Sequence, residues 1–578
     1  MRNDYEPLVQ RSALAGSLTR EAVSGMTSGA LNPENNVEVK AGSDRQMLVY
    51  APSSGCPHPK QTQVLMVLRS EPGEKSAERL LEVLGLAELA EDRHFVVVFP
   101  EPLVGGWNYS ADPAREDDAD FVVRCFAALP ASAVGVAGFN GMMFHLACDA
   151  ASSAMAMRIA AERPLDAAAV MVGALPECFL PPAPKAPQVV WLYERDEALE
   201  EWLAEANGTA PEVSAGGLTA DEVRRAWESM FSTTRRWRND VFGMYQPRVD
   251  FVREGYVAHV GDRSLGLSDG LPRTWHELVP KGIAEGSEPA PLVVYLHGIN
   301  CCGTYGAEQS GWGSLAARDG FMAVFPDATV EMRWNVWDDP RLPLDMGFIL
   351  ALIDHMDRVH PVDRSRVYLS GFSMGSMFAN ALAAAHPDVF AGVVALNGPS
   401  MGVLTTLDES RGMILGFRRD SAVAGVAPSD SPFSPARELA AKKKAELDYR
   451  MPIVQFVGLL DGVGFGPGSG WPVAEGDDGL WPRTVRWWLE YDRSCEGFST
   501  GAGTPSGFSS ATCERVGERM VEQSWSSSDA GAPVYYRLIA TERMPHAVDL
   551  AQVEHGWDIV RHWSRRLDGS LAHDGRPE

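Results

Sequence analysis

Residues 366–386 have the sequence RVYLSGFSMGSMFANALAAAH. The first part, with Val367, Tyr368 and Leu369, favours a buried strand, and the alanine-rich second part favours a helix that ends before Pro387. Between them, residues 371–375 form a Gly-x-Ser-x-Gly pattern, which can place a serine on a tight strand-to-helix turn. The glycines remove side-chain clashes there, so the next backbone N–H can face a substrate. Ser373 is therefore the predicted nucleophile of an enzyme.

Apolar, β-branched runs alternate with amphipathic stretches on both sides of this segment. The runs include LVVYLHG, FMAVFP, AGVVALNG and IVQFVG, and the stretches between them include DMGFILALIDHMDRVHP. Buried strands that alternate with helices form a mostly parallel sheet with helices on both faces. The predicted fold class is therefore α/β.

The chain contains this pattern twice. Four pairs of segments align in the same order: residues 63–70 with 291–298, 85–108 with 311–335, 137–144 with 370–377, and 187–196 with 452–461. Collinear matches of this kind indicate a duplicated domain. The predicted divisions are a polar tail at 1–42, a first domain at 43–245, a second domain at 246–567 and a polar tail at 568–578.

Three further Gly-x-Ser-x-Gly matches compete with Ser373. Those at residues 266–270 and 497–501 lie before a proline-bearing strand and inside a Gly/Ser/Thr-rich loop, so both are predicted to be turns. The match at 398–402 follows a strand, but β-branched and acidic residues come after it. Ser373 is the candidate with strand, turn and helix in order, and Ser400 is the alternative.

The candidates for the base and the acid follow Ser373 in the chain. A serine hydroxyl attacks only when a base removes its proton and a third group orients that base. Asp461 follows the strand IVQFVG and is the predicted acid, and His546 lies in a loop after the strand VYYRLIA and is the predicted base. His555 and His562 share one face of an amphipathic helix, so they are predicted to be structural.

The oxyanion of a tetrahedral intermediate needs fixed donors, and backbone N–H groups supply them without reorganisation. Met374, next to the nucleophile, is predicted to supply one donor. The second is predicted to come from Ile299 or Asn300, in the loop after LVVYLHG. His297 is predicted to brace that loop rather than to act as a second base.

Together these features resemble the α/β-hydrolase esterases of the poly(3-hydroxybutyrate) depolymerase and feruloyl esterase type. The resemblance rests on LVVYLHG, FPDA, RWNVW, DMGFILALIDHM, VYLSGFSMGSM and HPDVFAGVVALNG, and it is dense over residues 291–398 and loose as far as 566. It implies hydrolysis of polyhydroxyalkanoate-like or feruloyl- and acetyl-ester-like substrates through Ser373, Asp461 and His546, without a cofactor.

The sequence departs from that family at two places. Met544 and Pro545 stand before His546, where the family has a glycine. Met374 and Met377 replace small residues near the nucleophile, which implies a more apolar pocket mouth.

The first domain lacks the same chemical groups. Asn140 aligns with Ser373, and Arg69 and Ser70 stand in place of the His-Gly turn, although Asp196 stands at the acid position. Because an amide cannot act as the attacking alkoxide, we predict two tandem α/β-hydrolase domains of which the first is inactive. The first domain is predicted to pack against the second, where it could wall the cleft, form a homo-oligomer contact or stabilise the fold.

The overall charge limits the partners. Lys and Arg total 51 and Asp and Glu total 77, so the formal net charge is −26. Such a field repels phosphate backbones and anionic headgroups, so the predicted partner is an ester substrate and neither a nucleic acid nor a membrane. Residues 1–36 contain no apolar signal-peptide core, and no membrane span is predicted, so the expected location is the cytoplasm.

The eight cysteines contain no Cys-x-x-Cys pair, so no metal site is predicted. Cys495 and Cys513 flank a Gly/Ser/Thr-rich segment at 496–511 that is predicted to be a loop or flap. They could form a disulfide, but the expected cytoplasmic location favours free thiols.

Two alternative functions stay open. A serine peptidase or an acyltransferase uses the same triad, because the leaving group or the acceptor decides the reaction. A non-catalytic binding or scaffold protein would result if both domains had lost their chemistry, but the correct order of Ser373, Asp461 and His546 argues against it.

Overall fold

The structure is a computed structural model of the 578-residue chain. It describes residues 9–10, 16–25, 42–57, 61–129, 139–177, 179–330, 332–336, 338, 342–400, 449–462, 466, 471–474, 479–492, 511–525 and 533–577. The predicted loop at 496–510, with Cys495 and the Gly-x-Ser-x-Gly match at 497–501, lies outside the described residues.

The chain divides into two compact units between Arg248 and Val249. The first unit is Glu6–Arg248, and the second is Val249–Glu578. Both are mixed α/β units, as the alternation of buried runs and amphipathic stretches predicts. Among the described residues, no helix is long and apolar enough to cross a membrane.

The first unit contains these elements: strands β1 (Val9–Gln10), β2 (Leu18–Val23), β3 (Arg45–Tyr50), β4 (Cys56–Pro57), β5 (Thr62–Leu68), β6 (Val96–Pro100), β7 (Phe139–Cys148), β8 (Ala169–Val172), β9 (Val190–Leu192), β10 (Glu212–Val213), β11 (Thr234–Trp237) and β12 (Met244–Pro247), and helices α1 (Glu74–Val83), α2 (Leu86–Arg93), α3 (Asp118–Ala128), α4 (Ser153–Glu162), α5 (Glu197–Asn207) and α6 (Ala220–Ala226).

The second unit contains these elements: strands β13 (Val257–Asp262), β14 (Arg273–Leu278), β15 (Ala290–Leu296), β16 (Met322–Pro326), β17 (Val362–Phe372), β18 (Gly392–Leu396), β19 (Ile453–Gly458), β20 (Ala511–Arg515), β21 (Met520–Trp525), β22 (Tyr536–Thr541), β23 (Trp563–Arg565), β24 (Leu571–His573) and β25 (Arg576–Pro577), and helices α7 (Lys281–Ala284), α8 (Gly303–Ser310), α9 (Trp312–Asp319), α10 (Asp345–Val359), α11 (Met374–Ala385), α12 (Leu480–Tyr491) and α13 (Leu550–Val560).

A ten-stranded sheet forms the centre of the second unit, in the order β13-β14-β16-β15-β17-β18-β19-β22-β21-β20. The strands from β16 to β22 are parallel, and antiparallel pairs close both edges. All seven residues of β15 are buried, and alternate side chains enter two separate apolar cores. Helix α10 packs into one core and helix α13 into the other, so helices cover both faces.

The first unit has an eight-stranded sheet in the order β10-β9-β8-β7-β5-β6-β3-β2. The strands from β6 to β10 are parallel, and β3 and β2 continue the sheet as antiparallel edge strands. In the reverse direction this order is β2-β3-β6-β5-β7-β8-β9-β10, which matches β13-β14-β16-β15-β17-β18-β19-β22 of the second unit strand for strand. Side chains of β5 likewise alternate between two apolar cores.

Hydrogen bonds also recur at equivalent places in the two units. The indole of Trp107 donates to the backbone oxygen of Arg69 at 2.9 Å, and the indole of Trp334 donates to that of His297 at 2.8 Å. In both units the next residue, an asparagine, donates its backbone N–H to an aspartate that begins the following helix. These contacts agree with the alignment of residues 85–108 with 311–335.

The alignment of Asn140 with Ser373 is wrong. Strand pairing gives the register directly. In the first sheet Val64 of β5 pairs with Phe144 of β7, and in the second sheet Leu292 of β15, which aligns with Val64, pairs with Val367 of β17. The numbering offset between β7 and β17 is therefore 367 − 144 = 223. The residue equivalent to Ser373 is therefore Ala150, whereas Asn140 lies near the start of β7. The error arose because two short segments rich in glycine and methionine look alike, although strand pairing fixes a different register.

Candidate active site

Ser373 lies between β17 and α11, at the carboxyl edge of the parallel sheet. Its φ and ψ are 55° and −120°, a conformation that L side chains rarely adopt and that tight nucleophile turns require. The turn depends on its two glycines, because a Cβ at Gly371 would overlap the backbone oxygen of Gly375 and a Cβ at Gly375 would overlap that of Leu296. The close approach of β15, β17 and α11 thus fixes the serine in place.

His546 follows β22, in a loop that begins after the left-handed residue Arg543. Its Nε2 lies 2.9 Å from the Oγ of Ser373. The imidazole packs against the ring of Phe372, with 4.8 Å between the ring centres. This contact helps to hold the imidazole in one orientation.

Asp461 lies three residues beyond the end of β19. Its Oδ2 is 2.6 Å from the Nδ1 of His546, and its side chain has no exposed surface. With the Nδ1–H donated to this carboxylate, the Nε2 of His546 is the ring atom that accepts the serine proton. The structure therefore brings Ser373, His546 and Asp461 into one chain of hydrogen bonds.

Sequence reasoning missed one supporting residue, Asn397. It follows β18, its φ is 49°, and its side chain is buried. Its Nδ2 donates to the backbone oxygen of Ala547 at 2.6 Å, and its Oδ1 accepts from the backbone N–H of Gly458 at 2.7 Å. Asn397 thus joins the loop of His546 to the strand that leads to Asp461. The signal in the sequence was an Asn-Gly pair directly after a buried strand.

The structure bears on the choice between Ile299 and Asn300 as the second backbone N–H donor to the oxyanion. The N–H of Asn300 donates to the backbone oxygen of Met332 at 3.1 Å, so Asn300 is not the free donor that the sequence suggested as an alternative to Ile299. The reason is its left-handed conformation, with a φ of 57°, which turns that N–H toward residue 332. Met374 is the first residue of α11, where a backbone N–H has no acceptor within the helix.

His297 braces the neighbouring loop, as its sequence position suggests. Its Nε2 accepts the backbone N–H of Ala328 at 2.9 Å, and its Nδ1 lies 2.7 Å from the backbone oxygen of Gly298. Because Nε2 accepts, Nδ1 carries the proton and donates. Both ring nitrogens are therefore engaged in holding the loop in which Ile299 lies.

The other candidates lie apart from this arrangement. His555 Nε2 lies 3.9 Å from the Oε2 of Glu522, and the Nδ1 of His562 lies 2.6 Å from Asp574 Oδ1 in the C-terminal strands. Ser400 is buried after β18, and residues 401–402 of its motif lie outside the described residues. The match at 266–270 lies in the turn between β13 and β14 and does not open a helix.

Comparison with known proteins agrees with the resemblance for this part of the chain. Residues 275–431 match the family model of the esterase PHB depolymerases. The chain is 37% identical over 140 residues to poly(3-hydroxyalkanoate) depolymerase C of Paucimonas lemoignei, which covers 23% of this chain and 33% of that protein. It is 36% identical over 109 residues to the bifunctional acetylxylan esterase/xylanase of Neocallimastix patriciarum, which covers 19% and 15% respectively. The chain thus spans a third or less of the length of these two relatives.

The chain is also similar to solved structures of lower sequence identity. The acetyl xylan esterase from Aspergillus awamori is 16% identical, with a TM-score of 0.36, and the match covers 53% of this chain and 98% of that one. An S-formylglutathione hydrolase from Agrobacterium tumefaciens is 15% identical, with a TM-score of 0.31, and the match covers 53% and 91%.

Proposed function

We propose that this chain is a serine hydrolase of carboxylic esters, on the premise that residues 275–431 carry an esterase PHB depolymerase domain. The observation that carries the proposal is the hydrogen-bonded series Ser373–His546–Asp461, with distances of 2.9 Å and 2.6 Å. These are the contacts that a serine nucleophile, its general base and the group that orients the base require.

In the first half of the reaction, the Oγ of Ser373 attacks the ester carbonyl carbon while its proton passes to the Nε2 of His546. Asp461 stabilises the imidazolium that forms. The backbone N–H groups of Met374 and Ile299 would hold the oxyanion of the tetrahedral intermediate. When the intermediate collapses, the bond from the carbonyl carbon to the alcohol oxygen breaks, and the alcohol leaves with the proton from Nε2.

In the second half, water replaces the alcohol. It gives one proton to the Nε2 of His546 and attacks the acyl carbon, after which the acid is released and Ser373 regains its proton. Every proton and electron pair in this cycle is supplied by the three side chains, the ester and water. The chemistry therefore calls for no cofactor.

For the substrate, we propose acetyl, feruloyl or polyhydroxyalkanoate esters. The names of the relatives support this choice, since they include a poly(3-hydroxyalkanoate) depolymerase and acetylxylan esterases. The half-buried Met374, next to Ser373 in the chain, favours an apolar acyl group there. A serine peptidase or an acyltransferase is the alternative, because it would use the same three side chains.

The first unit is proposed to be an inactive copy of the second. Shared strand order and recurring hydrogen bonds support a duplication. Ala150 stands where the second unit has Ser373, and Arg69 stands where it has His297. The carboxylate of Asp196 caps helix α5, because it accepts the backbone N–H of Leu199 at 3.0 Å, and it also accepts that of Leu175 at 2.8 Å. Both carboxylate oxygens of Asp196 therefore have a structural role as acceptors of backbone hydrogen bonds.

The deciding experiment compares substrates and maps the nucleophile. The full chain is given p-nitrophenyl acetate, a feruloyl ester, a 3-hydroxybutyrate oligomer and peptide anilides, and a fluorophosphonate probe is located by mass spectrometry. Ester turnover with the probe on Ser373 is expected. Faster turnover of the anilides would favour a peptidase, faster acyl transfer to added alcohols than to water would favour an acyltransferase, and absence of labelling would favour the non-catalytic alternative.

A further inference from the structure

A second cluster of chemically active side chains lies on the second unit, away from Ser373. His259 of β13, Glu277 of β14 and His355 of α10 each offer one nitrogen or oxygen atom, and these three atoms lie within 4.8 Å of one another. Strand β14 is three strands from β17, or about 14 Å across the sheet. The triad does not use these groups. We propose that His259, Glu277 and His355 bind a divalent transition-metal ion, with Zn²⁺ as the best match.

The sheet register brings two of the ligands to one face. His259 pairs with Trp275, and Glu277 lies two residues beyond Trp275 on the same strand, so the three side chains lie on one face of the antiparallel pair. Trp275 belongs to the core that α10 covers. His355 comes from α10 to the same place, and its ring centre lies 5.4 Å from that of Trp275.

Trp275 fixes the orientation of both imidazoles. The ring of His259 stacks on it with 4.3 Å between ring centres and 8° between planes, and His355 meets it nearly edge-on. Histidines held in one orientation lose little freedom when a metal binds, which favours affinity. The imidazole of His259 lies close enough to Asp262 for a carboxylate contact behind it, with 4.0 Å between Nδ1 and Oδ2.

Glu277 provides the charge. It is only 6% exposed, and its Oε1 lies 3.5 Å from the Nε2 of His259 and 3.4 Å from that of His360. Within the described part of the chain, its buried Oε2 accepts no hydrogen bond. A buried carboxylate with one unused oxygen between imidazoles costs free energy that a bound cation would offset.

The ligand types point to zinc rather than calcium or magnesium. Two imidazole nitrogens and one carboxylate oxygen are a common zinc set, whereas calcium and magnesium take oxygen ligands. His360, directly after α10, is placed either to become the fourth ligand or to hold Glu277 in position. A metal here would join the edge strands to α10 and stabilise the unit. The side chains of His259 and His360 are 23% and 21% exposed, which gives an ion access.

The test uses the full chain, freed of metal with a chelator and then titrated with ZnCl₂ by calorimetry. We expect one tight site and a rise in the unfolding temperature with Zn²⁺, because a ligand that binds only the native state stabilises it. Glu277→Gln and His355→Ala are each expected to weaken that site at least tenfold and to remove the temperature rise. His562→Ala, which removes a histidine next to Asp574, is the matched control and should keep the tight site.

Two variants, Glu277→Gln and His355→Ala, are used so that misfolding of one does not prevent the test. Glu277 is buried, so its variant is first compared with the wild type by thermal unfolding without metal. His355 is less buried and lies on a helix, so His355→Ala carries the test if Glu277→Gln does not fold. As an independent readout, Co²⁺ bound to the wild type should give visible absorption that is lost in His355→Ala. Absence of a tight site in the wild type, or equal affinity in His355→Ala, would overturn the proposal. Neither readout depends on ester turnover.

Discussion

Asn397 donates a hydrogen bond from its side-chain amide to the backbone oxygen of Ala547, 2.6 Å away and one residue after His546. The other end of the same amide accepts from Gly458, at the end of the strand before Asp461. One side chain thereby sets the distance between the loop of the base and the strand of the acid. Both hydrogen bonds of the Asn397 amide go to backbone groups, so we interpret it as a positioning residue.

We expect Asn397→Ala to lower kcat about 10- to 100-fold, because the His546 loop loses its tie to β19 while the triad side chains remain. KM should change little. The measurement is steady-state turnover of a p-nitrophenyl ester, together with the pH profile of kcat. Asn207→Ala is the matched control, because Asn207 also bridges two backbone groups, the N–H and oxygen of Gln188, but lies in the first unit. If both variants lose only stability, the positioning role is refuted.

We expect Ser373→Ala to lower ester turnover at least about a thousandfold, as loss of a triad member does. His546→Ala should be about as damaging, and the double variant no worse than either, because the two side chains act as one unit. The controls are Ser400→Ala and His555→Ala, which should keep most of the turnover. Labelling of Ser400 by a fluorophosphonate, or loss of activity in a normally folded His555→Ala, would show that the site is assigned wrongly.

We expect Gly375→Ala to destabilise the chain by about 1–3 kcal/mol or more and to lower turnover, because the added methyl overlaps the backbone oxygens of Leu296 and His297. Chemical unfolding measures the first effect and ester turnover the second. Gly282→Ala is the control: it is also a helical glycine, and a Cβ there meets nothing within 4 Å. Equal stability of the two variants would mean that the turn at Ser373 can relax.

We expect Asp345→Asn to change how stability depends on pH. Burial raises the pKa of Asp345 to about 6, against the hydrogen bonds from Thr329 and Asn335. The folded chain therefore holds a proton there between about pH 4 and 6 that the unfolded chain releases, so this contribution to stability falls as the pH rises. The loss is on the order of 2–3 kcal/mol across that range.

The pH prediction is checked by urea unfolding at pH 4, 5, 6 and 7. An amide cannot titrate, so the free energy of unfolding of Asp345→Asn should fall less from pH 4 to pH 6 than that of the wild type. Asp354→Asn, an exposed position on the same helix, is the matched substitution. Parallel curves for Asp345→Asn and the wild type would contradict the prediction.

We expect Ala150→Ser to create no second active site. The hydroxyl would stand at the position equivalent to Ser373, but Arg69 occupies the place of His297 and donates to the backbone oxygen of Pro100 at 2.9 Å. Ser70, in the place of Gly298, is held by Asp149. In a chain that also carries Ser373→Ala, we expect no fluorophosphonate labelling. Labelling at residue 150 would show that the first unit kept a base and donors.

The sequence was informative wherever the signal was local. The strand, turn and helix around Ser373 follow from apolar runs and two glycines within one segment, and the order of Ser373, Asp461 and His546 follows from strands that end at one edge of a sheet. Asn140 was misassigned because pairing across the sheet, and not short similarity, fixes strand register. Asn300 was misjudged because its N–H direction depends on a left-handed φ and on a distant acceptor, Met332.

Other features had little or no signal in the sequence. His259, Glu277 and His355 are separated by 18 and 78 residues, so no motif spacing marks them. Only the register of β13 with β14, and the packing of α10 on them, brings the three together. Asn397 is visible in the sequence as part of an Asn-Gly pair, but its hydrogen-bond partners are not. The donor, Gly458, lies 61 residues further along the chain, and the acceptor, Ala547, lies 150 residues further along.

The hydrogen bond from Trp334 to the backbone of His297 has a counterpart in the first unit, which we propose to be inactive, between Trp107 and Arg69. A mutational survey that used activity alone would count Trp334 among the residues of the reaction, because its loss would displace the loop of Ile299. The counterpart in the first unit favours a role in the fold over a role in the reaction. The hydrogen bond of this tryptophan supports the loop and does not depend on the triad. Redesign of the acyl specificity should therefore leave Trp334 and Asn335 unchanged and vary Met374 instead.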